Sequence, residues 1–328
     1  MESIMKKYKI LHVAPTPLVD SPRKISDAIN LYTDFDSSSF IFNDYPGSLK
    51  GVFSSNTLLY SAKKELAISL IENADIIHIH NFLYPEHEDI IFEHSKDNVK
   101  YIYQVHSPLR EGPNFVHYQP TKIEFEKKCV VAQYHPRMYS DYEWVPNIIL
   151  ENPSINLIDD TQQVRVLFSP AHKRTGGRWN DKYSGIMMET LNSLSNLNKL
   201  ELLIAENYTP HELFQLRKTC HISIDEIVTG AFHQISLEAL MSGNVVINNA
   251  DVFSQTVFDL LVGNEKRNIP FFRVNEFNVK DRLLQLVMDK ELIRTYQKRS
   301  YEYSQKYLQP QNLVKHYTKI YEGIIDAF

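Results

Sequence analysis

Glycine is scarce in this sequence, with 10 glycines in 328 residues, whereas globular proteins contain about 7%. The dinucleotide-binding motif G-x-G-x-x-G and the phosphate-binding motif G-x-x-x-x-G-K-[ST] are both absent. Their absence argues against nicotinamide or flavin enzymes and against P-loop proteins. Five of the ten glycines fall between Gly176 and Gly243. Where glycine is rare, such a concentration predicts backbone that turns tightly or approaches a ligand.

Cysteine, long apolar runs and positive charge are also limited. The two cysteines, Cys129 and Cys220, lie in apolar runs, and we interpret them as buried thiols in a reducing compartment. No apolar run approaches the ~18 residues of a membrane span, and the first residues show no signal-peptide pattern. The net charge of -5 and the pI near 6.2 argue against a nucleic-acid partner. We expect a cytoplasmic protein.

Short apolar runs alternate with helical patterns along the whole chain, which predicts α/β domains with parallel, doubly wound sheets. A polar stretch rich in Asn, Pro and Asp at 147–161 separates two such halves. We therefore predict domains at 1–150 and 151–309, followed by a C-terminal helix at 310–328. In open α/β sheets ligands bind outside the carboxyl ends of the strands. The expected site is a cleft between the two domains.

The predicted strands and helices follow the apolar spacing of each segment. The strands are expected at 8–14, 39–43, 75–80, 99–105, 129–134, 164–168, 199–205, 220–225, 244–248 and 271–274. The helices are expected at 24–32, 61–72, 86–96, 181–197, 210–218, 234–241, 252–261, 279–289, 292–307 and 310–327.

The segment 229–249, TGAFHQISLEALMSGNVVINN, carries the most chemical information. It combines a turn at Gly230 with a helix start near His233, and the free N–H groups of a helix start suit a phosphate. Glu238 lies two turns into that helix among apolar neighbours, where a carboxylate can accept hydrogen bonds from two vicinal hydroxyls. The alternative is an exposed helix glutamate without a ligand.

A basic loop, SPAHKRTGGRWNDK, begins at Ser169 directly after the predicted strand 164–168. Cations on a Gly-containing loop at the carboxyl end of a strand make a plausible clamp for a diphosphate. The alternative is a solvated basic loop. Its cations are Lys173, Arg174, Arg178 and Lys182.

His106 follows the predicted strand 99–105 and is expected to face the cleft, with Arg110 on the same loop. A histidine that only orders the loop is the alternative. His78 and His80 share one face of a strand but lack further ligands, and the Asp34-x-Asp36 pair is typical of an acidic turn. We predict no metal site, and we place Asn81 near the cleft.

These residues resemble the retaining GT-B nucleotide-sugar glycosyltransferases, the glycosyltransferase group 1 or family 4-like class. GAFHQISLEALMSGNVVIN is similar to the family's E-x-F-G-x-x-x-L-E-A-M-A-x-G-x-P-V block. DIIHIHNF, QVHSP, WVPNII and the basic loop are weaker matches in the same order. The resemblance implies two Rossmann-like domains facing across a cleft, the first on the acceptor side and the second binding the nucleotide sugar. It also implies that the helix at 310–328 packs back on the first domain.

The resemblance implies a role for each matching position, with no metal or cofactor and with a nucleoside-diphosphate sugar, UDP- or GDP-linked, as co-substrate. Glu238 would hold the ribose, and His106 would face the transferred sugar. Lys173 or Arg174, with Lys182, would neutralise the departing diphosphate, assisted on the donor side by Ser169 and Arg178. The backbone amides expected to meet the diphosphate are those of His233, Gln234 and Ile235.

Two departures from the family block concern the donor and the acceptor. Gly230 stands where the family has a glutamate that addresses the donor sugar, and His233 stands where it has a glycine. The first loop, 14–26, lacks the glycine that family members often use there. Arg23 and Lys24 are expected to offer charge to an anionic acceptor instead.

The predicted reaction is glycosyl transfer to a hydroxyl acceptor with retention, in the synthesis of a cell-envelope polysaccharide or glycan. The acceptor would be a glycan or a lipid-linked saccharide, with peripheral contact to the inner membrane surface as an option. Two alternatives remain open: a sugar-nucleotide epimerase of the same fold, and a non-catalytic paralogue that acts as a binding or scaffold subunit. Turnover of the donor separates the enzymes from the subunit.

Overall fold

The structure, a computed structural model, describes residues 8–45, 57–106, 118–169, 183–206 and 208–326. The chain divides into two compact units. The first comprises Met1–Leu150 with Pro310–Phe328, and the second comprises Glu151–Gln309. Each unit is built on one parallel sheet with helices. The predicted α/β class with two such domains is confirmed.

The sheet of the first unit has seven strands, and every neighbouring pair in it is parallel. In chain order the strands are β1 (Lys9–Ala14), β2 (Asp36–Ile41), β3 (Leu58–Leu59), β4 (Ile76–His80), β5 (Lys100–Val105), β6 (Phe125–Val131) and β7 (Glu143–Val145). Their order across the sheet is β3-β2-β1-β4-β5-β6-β7. In the part of this unit that the structure describes, three helices connect the strands: α1 (Ser21–Tyr32), α2 (Lys64–Asn73) and α3 (Pro85–His94).

The central strands of this sheet are buried on both faces. Leu11 and Val13 of β1 belong to one apolar core with Ile77 and Ile79 of β4. The alternation of a strand places His12, His78 and His80 on the opposite face, and all three are fully buried. The sequence pattern therefore predicts the strands correctly, but one buried face carries imidazoles instead of hydrocarbon.

The sheet of the second unit has five parallel strands in the order β12-β11-β10-β8-β9. They are β8 (Val164–Phe168), β9 (Leu200–Ile204), β10 (Ile222–Ile224), β11 (Val245–Asn248) and β12 (Phe271–Arg273). The helices of this unit are α4 (Gly185–Asn196), α5 (Pro210–Lys218), α6 (Gln234–Met241), α7 (Val252–Leu261), α8 (Val279–Met288) and α9 (Lys290–Tyr307).

Local side-chain bonds fix where several of these helices begin. The Ser184 side chain accepts a hydrogen bond from the Met187 amide, and Thr209 forms a capping box with Glu212 at the start of α5. Asp251 caps α7 by accepting from the Ser254 amide. Such caps satisfy amides that have no partner within the helix.

The last helices, α10 (Pro310–Leu313) and α11 (Lys315–Ile325), belong to the first unit. α11 buries Tyr317, Ile320, Tyr321 and Ile324. Tyr321 reaches His78 of β4, and Tyr317 donates a hydrogen bond to the Pro146 carbonyl at 2.7 Å. The C-terminal segment thus covers the histidine face of the first sheet.

The sequence pattern missed two short strands, β3 and β7, which have two and three residues. Both are edge strands, and neither lies in an apolar run of the roughly 4–8 residues typical of a buried strand. The predicted helix 310–327 is interrupted at Val314. No helix among the described residues is long and apolar enough to span a membrane.

Candidate functional site

Each unit has a topological switch point, where successive connections leave a pair of neighbouring strands in opposite directions. In the first unit it lies between β1 and β4, and in the second between β8 and β10. Ligands of open α/β sheets bind outside the carboxyl ends of such strands. Asn81 follows β4, Ser169 follows β8 and Asp225 follows β10. Two of the predicted site residues, Asn81 and Ser169, therefore lie where the fold favours ligand binding.

Asn81 and His106 are joined at the carboxyl edge of the first sheet. Asn81 has a positive φ of 64°, a conformation that asparagine tolerates better than most residues. Its amide donates to the Gln104 carbonyl at 2.7 Å, and its side-chain oxygen accepts from the His106 amide at 2.8 Å. Asn81 is buried. Its contacts hold the backbone at the end of β5, and a role toward an acceptor stays a prediction.

Three histidine side chains form a continuous line of hydrogen bonds that ends at His106. His12 Nδ1 lies 2.9 Å from His80 Nε2, and His80 Nδ1 lies 2.7 Å from His106 Nε2. Burial lowers the pKa of His12 and of His106 to about 3. Burial and neighbouring histidines also hold the pKa of His80 well below its usual value. At neutral pH the line consists of uncharged imidazoles.

His78 lies beside this line without being part of it. Its Nδ1 is 2.9 Å from the Tyr321 hydroxyl, and its ring stacks on His80 with centroids 4.5 Å apart. Burial, with His12 and His106 nearby, keeps the pKa of His78 well below its usual value. Tyr321 thus gives the buried ring its polar partner.

The ligand atoms of His12, His78 and His80 lie within 4.8 Å of one another, a spacing that raises the question of a metal ion. Zinc requires imidazole nitrogens that converge on one point at about 2.0–2.1 Å. The rings of His78 and His80 are instead stacked in nearly parallel planes, at an interplanar angle of 16°. The Nδ1 of His12 and the Nε2 of His80 are also engaged with each other. This geometry suits hydrogen bonding better than metal coordination.

The loop between β1 and α1 contains an unusual turn. Leu18, Val19 and Asp20 all have positive φ angles, between 49° and 62°. Non-glycine residues adopt this conformation at a cost of roughly 1–2 kcal/mol each. The sequence offers no glycine here, so the chain forms the turn with strained residues. Such strain is common at functional sites.

Arg23 and Lys24, the predicted acceptor-side cations, lie in the first turn of α1. The Arg23 guanidinium bonds to the carboxylates of Asp20 and Asp27, and Lys24 is buried. Two carboxylates therefore already balance the charge of Arg23. The expected contact of Arg23 and Lys24 with an anionic acceptor stays a prediction.

The start of α6 in the second unit is held by Asp225. This carboxylate accepts from the His233 amide at 2.6 Å and from the Ser236 hydroxyl at 2.7 Å, and the His233 ring nitrogen lies 3.0 Å away. The first-turn residues His233, Gln234 and Ile235 are half-buried. The helix start that the sequence predicted is present, with one carboxylate already in place beside it.

Gly230 lies in the turn before α6 and has a φ of 77°. A Cβ at this position would be 3.6 Å from the Asp251 carboxylate oxygen Oδ2. The neighbouring Glu226 carboxylate accepts from the amides of Val228 and Thr229 at 2.6 and 2.8 Å. Residue 230 itself has no carboxylate, but the carboxylates of Glu226 and Asp251 lie beside this turn.

Glu238 is 5% exposed and Arg217 is 1% exposed. The Arg217 Nη2 lies 3.3 Å from Glu238 Oε2, and Gln234 donates to Glu238 Oε1 at 3.0 Å. Arg217 also contacts the Ser223 hydroxyl at 3.3 Å. Glu238 is thus not the exposed helix glutamate that the sequence left as an alternative, since its carboxylate lies in a buried polar cluster. Its predicted role toward a ribose stays a prediction.

Ser169 directly follows β8, and its hydroxyl lies 3.4 Å from the Ala205 carbonyl oxygen. Five other predicted site residues lie outside the described residues: Arg110, Lys173, Arg174, Arg178 and Lys182. Their roles stay predictions.

Sequence reasoning missed His12, Arg217, Tyr321 and Asp251. His12 stands in an apolar run, YKILHVA, and only the pairing of β1 with β4 brings it opposite His78. Arg217 has the appearance of an ordinary basic residue at the end of a helix. The sequence signal that could have found His12 was the pairing of a lone buried histidine with the H-x-H of the next central strand.

The sequence matches no protein-family model and no curated protein, whereas the structure resembles solved structures along nearly its whole length. Sucrose-phosphate synthase from Thermosynechococcus elongatus is 12% identical, with a TM-score of 0.55 over 98% of this chain and 100% of that chain. An alpha-glucosyltransferase in complex with UDP and a 13-mer DNA containing an HMU base is 10% identical. Its TM-score is 0.61, over 96% and 99% of the two chains. The apo form of the lipopolysaccharide outer core galactosyltransferase WaaB is 10% identical, with a TM-score of 0.50 over 96% and 99%.

These similarities show that the chain has the GT-B fold, and they confirm the predicted fold class. At 10–12% identity they establish the fold alone. The expectation that the protein has no nucleic-acid partner stays a prediction.

Proposed function

We propose that this protein is a glycosyltransferase that moves a sugar from a nucleoside-diphosphate sugar to a hydroxyl acceptor. The observation that carries the proposal is the GT-B fold, shared along 96–98% of the chain with two glycosyltransferases and a sucrose-phosphate synthase. One of these structures holds UDP. The sequence block around α6, which resembles the family block, supports the same proposal: its helix start would meet the diphosphate, and Glu238 would hold the ribose.

In the proposed reaction the bond between the anomeric carbon and the phosphate oxygen breaks, and a bond from that carbon to the acceptor oxygen forms. The acceptor proton passes to the departing diphosphate, and the configuration of the anomeric carbon is retained. Most of the catalysis would come from positioning and from stabilising charge on the diphosphate. Lys173 or Arg174, Lys182 and the first-turn amides of α6 would supply that stabilisation without a metal ion.

The acceptor and the place of reaction are further parts of the proposal. We infer a glycan or a lipid-linked saccharide as the acceptor, in cell-envelope polysaccharide synthesis on the cytoplasmic side of the membrane. This part rests on the family resemblance of the sequence blocks. UDP and GDP are equal candidates for the donor nucleotide.

A second candidate is a nucleotide-sugar-binding subunit without turnover. Two observations favour it: residue 230 has no carboxylate, and the Glu238 carboxylate is paired with Arg217. A subunit of this kind would bind the donor through the second unit without transferring the sugar.

The decisive experiment combines binding with turnover. Thermal unfolding of the full chain is measured with a panel of UDP and GDP sugars, because a ligand of the native state raises the melting temperature. Release of the free nucleoside diphosphate is then followed for each nucleotide sugar that binds. Binding with even slow release supports the transferase, whereas binding without release over hours supports the subunit. No stabilisation by any sugar nucleotide would overturn both.

Variants that each lack one lysine test, in the same assay, which positive charge binds the diphosphate. Lys182→Ala is expected to lower both donor binding and release at least tenfold. Lys280→Ala is the matched control, because Lys280 is exposed and lies 3.9 Å from a carboxylate oxygen of Glu189, which is also exposed. Equal losses in the two variants would contradict the assignment of Lys182.

A further inference from the structure

The line His12–His80–His106 has only two proton arrangements when all three rings are neutral. A neutral imidazole carries one N–H, so one nitrogen donates and the other accepts. Either every proton points toward His106, with donation from Nδ1 of His12 and Nδ1 of His80. Or every proton points away from His106, with donation from Nε2 of His106 and Nε2 of His80. The two distances, 2.9 and 2.7 Å, suit both arrangements.

The buried end of the line decides between the two arrangements. His12 Nε2 is fully buried, and among the described residues no atom forms a hydrogen bond to it. If the protons pointed away from His106, His12 would accept at Nδ1, and its own proton would sit on Nε2 without an acceptor. Orphaned buried N–H groups are rarer than orphaned buried acceptors. The favoured arrangement therefore keeps the proton of His12 on Nδ1.

The order of protons then follows along the line. His12 Nδ1–H donates to His80 Nε2, so the proton of His80 sits on Nδ1 and is donated to His106 Nε2. His106 must consequently carry its own proton on Nδ1. The His106 backbone amide is bonded to Asn81, which fixes the residue at the base of the ring.

We propose that His12 and His80 are positioning residues that hold His106 as a neutral hydrogen-bond donor, with its proton on Nδ1 directed at an oxygen of the bound ligand. Within the proposed function, on which this part rests, that oxygen belongs to the transferred sugar. His106 is then unsuited to act as a general base, since the nitrogen that faces the ligand already carries a proton. It is also unsuited to act as a general acid, because loss of that proton would leave one proton too few for the three rings of the line.

The neighbouring groups are consistent with this order. His78 satisfies its Nδ1 with the Tyr321 hydroxyl and does not draw a proton from the line. Burial and the proximity of the histidines to one another disfavour an additional proton on any of the rings. The line thus keeps the same number of protons across the neutral pH range.

The test is the tautomer of His106 in the ligand-free protein, which requires no activity. The full chain is labelled with ¹⁵N-histidine, and long-range ¹H–¹⁵N spectra are recorded at pH 7.5. His106→Gln assigns the signals of His106 among the 13 histidines. We expect a protonated Nδ1 and an unprotonated Nε2 for His106. A protonated Nε2, or an equal mixture of the two tautomers, would overturn the proposal even if glycosyl transfer were demonstrated.

A variant at His80 tests whether the hydrogen-bonded line sets the tautomer of His106. His80→Leu removes the donor to His106, and we expect the His106 signals to become a mixture of tautomers. His87→Phe is the matched control, because His87 stacks on Phe42 outside the line and should leave the His106 tautomer unchanged. If His80→Leu does not fold by circular dichroism, His80→Met replaces it, because its side chain also has no N–H to donate. An unchanged His106 tautomer in a folded His80 variant would show that the line does not set it.

Discussion

The Arg217 guanidinium and the Glu238 carboxylate form an ion pair at 3.3 Å in the interior of the second unit. Both side chains are almost completely buried, so the pair helps to compensate each charge in a place with little water. Glu238 is also the residue expected to hold a ribose. The Glu238 carboxylate therefore contacts Arg217 in the structure and is also the group proposed to bind the ribose.

Removing only one member of this pair should destabilise the protein strongly. Arg217→Met removes the guanidinium that lies 3.3 Å from the buried Glu238 carboxylate, and breaking a buried ion pair costs about 3–5 kcal/mol. Replacing both members, as in Arg217→Met with Glu238→Gln, removes both charges and should recover at least half of that loss. The free energy of unfolding is measured for the native protein and both variants by urea titration. A single variant as stable as the native protein would show that the pair is not a buried ion pair.

The double variant also separates the two roles of Glu238. Because it is uncharged and stable, any loss of donor binding in it reflects the missing carboxylate and not unfolding. We expect at least tenfold weaker binding of whichever nucleotide sugar the native protein binds, measured by calorimetry. Unchanged affinity would place the ribose elsewhere.

Gly230 should resist substitution for a backbone reason. Its φ of 77° lies in the left-handed region, so Gly230→Ala is expected to cost about 1–2 kcal/mol. Gly323→Ala is the control: this glycine is inside α11, with no atom within 4 Å of its added Cβ. There alanine should stabilise by about 0.5–1 kcal/mol. Thermal unfolding that gives both variants the same sign would contradict this account.

Restoring the family glutamate is expected to fail for the same reason. Gly230→Glu has the same backbone strain as Gly230→Ala, and its Cβ would lie near Asp251 Oδ2. We expect lower stability and no gain in donor turnover. A variant with faster turnover than the native protein would show that the turn accepts a carboxylate at residue 230.

The sequence predicted the fold well because its signals are local and repeated. Apolar runs such as 164–168 and helical patterns such as 234–241 agree with β8 and α6 residue by residue. β3 and β7 were missed because neither lies in an apolar run of the roughly 4–8 residues typical of a buried strand. The three-residue strands β10 and β12 were found because they lie within the longer predicted segments 220–225 and 271–274. The parallel arrangement followed from the order of strands and helices.

The candidate site was only partly predictable, because its key contacts join residues that are distant in sequence. His12 and His80 are 68 residues apart, and Arg217 and Glu238 are 21 apart. A lone histidine in YKILHVA and a basic residue at the end of a helix carry no individual signal. His106 and Glu238 were identifiable because each stands at a position that the local pattern marks, a strand end or a family-like block.

Asp225 should weaken anion binding at the start of α6. Its carboxylate accepts from the His233 amide and the Ser236 hydroxyl, so it places negative charge where a diphosphate is expected. Asp225→Asn keeps an acceptor oxygen but removes the charge. We expect several-fold tighter binding of UDP or GDP, whichever the protein binds, and a stability loss of about 1 kcal/mol. Weaker binding of the diphosphate would show that Asp225 supports the site by ordering the helix start.

The buried histidines predict that stability falls as the pH is lowered below neutrality. Histidine has a pKa near 6.5 in the unfolded chain, and burial lowers the pKa of His12 and His106 to about 3 in the folded protein. Between these values the unfolded state binds protons that the folded state does not, so acid favours unfolding. Each such histidine contributes a slope of about 1.4 kcal/mol per pH unit, and the loss ends only below pH 3.

Urea unfolding at pH 7.5, 6.5 and 5.5 measures this slope above the range where carboxyl groups with ordinary pKa values near 4 titrate. His12→Leu should reduce the slope at the acid end by about one histidine's share, because the variant has one fewer group that binds a proton only on unfolding. Ile10→Val is the control, since Ile10 is buried in the same strand as His12, has no titratable group and should leave the slope unchanged. Equal stability of the native protein at pH 7.5 and 5.5 would mean that the imidazoles are protonated in place, and the neutral line from His12 to His106 could not then exist.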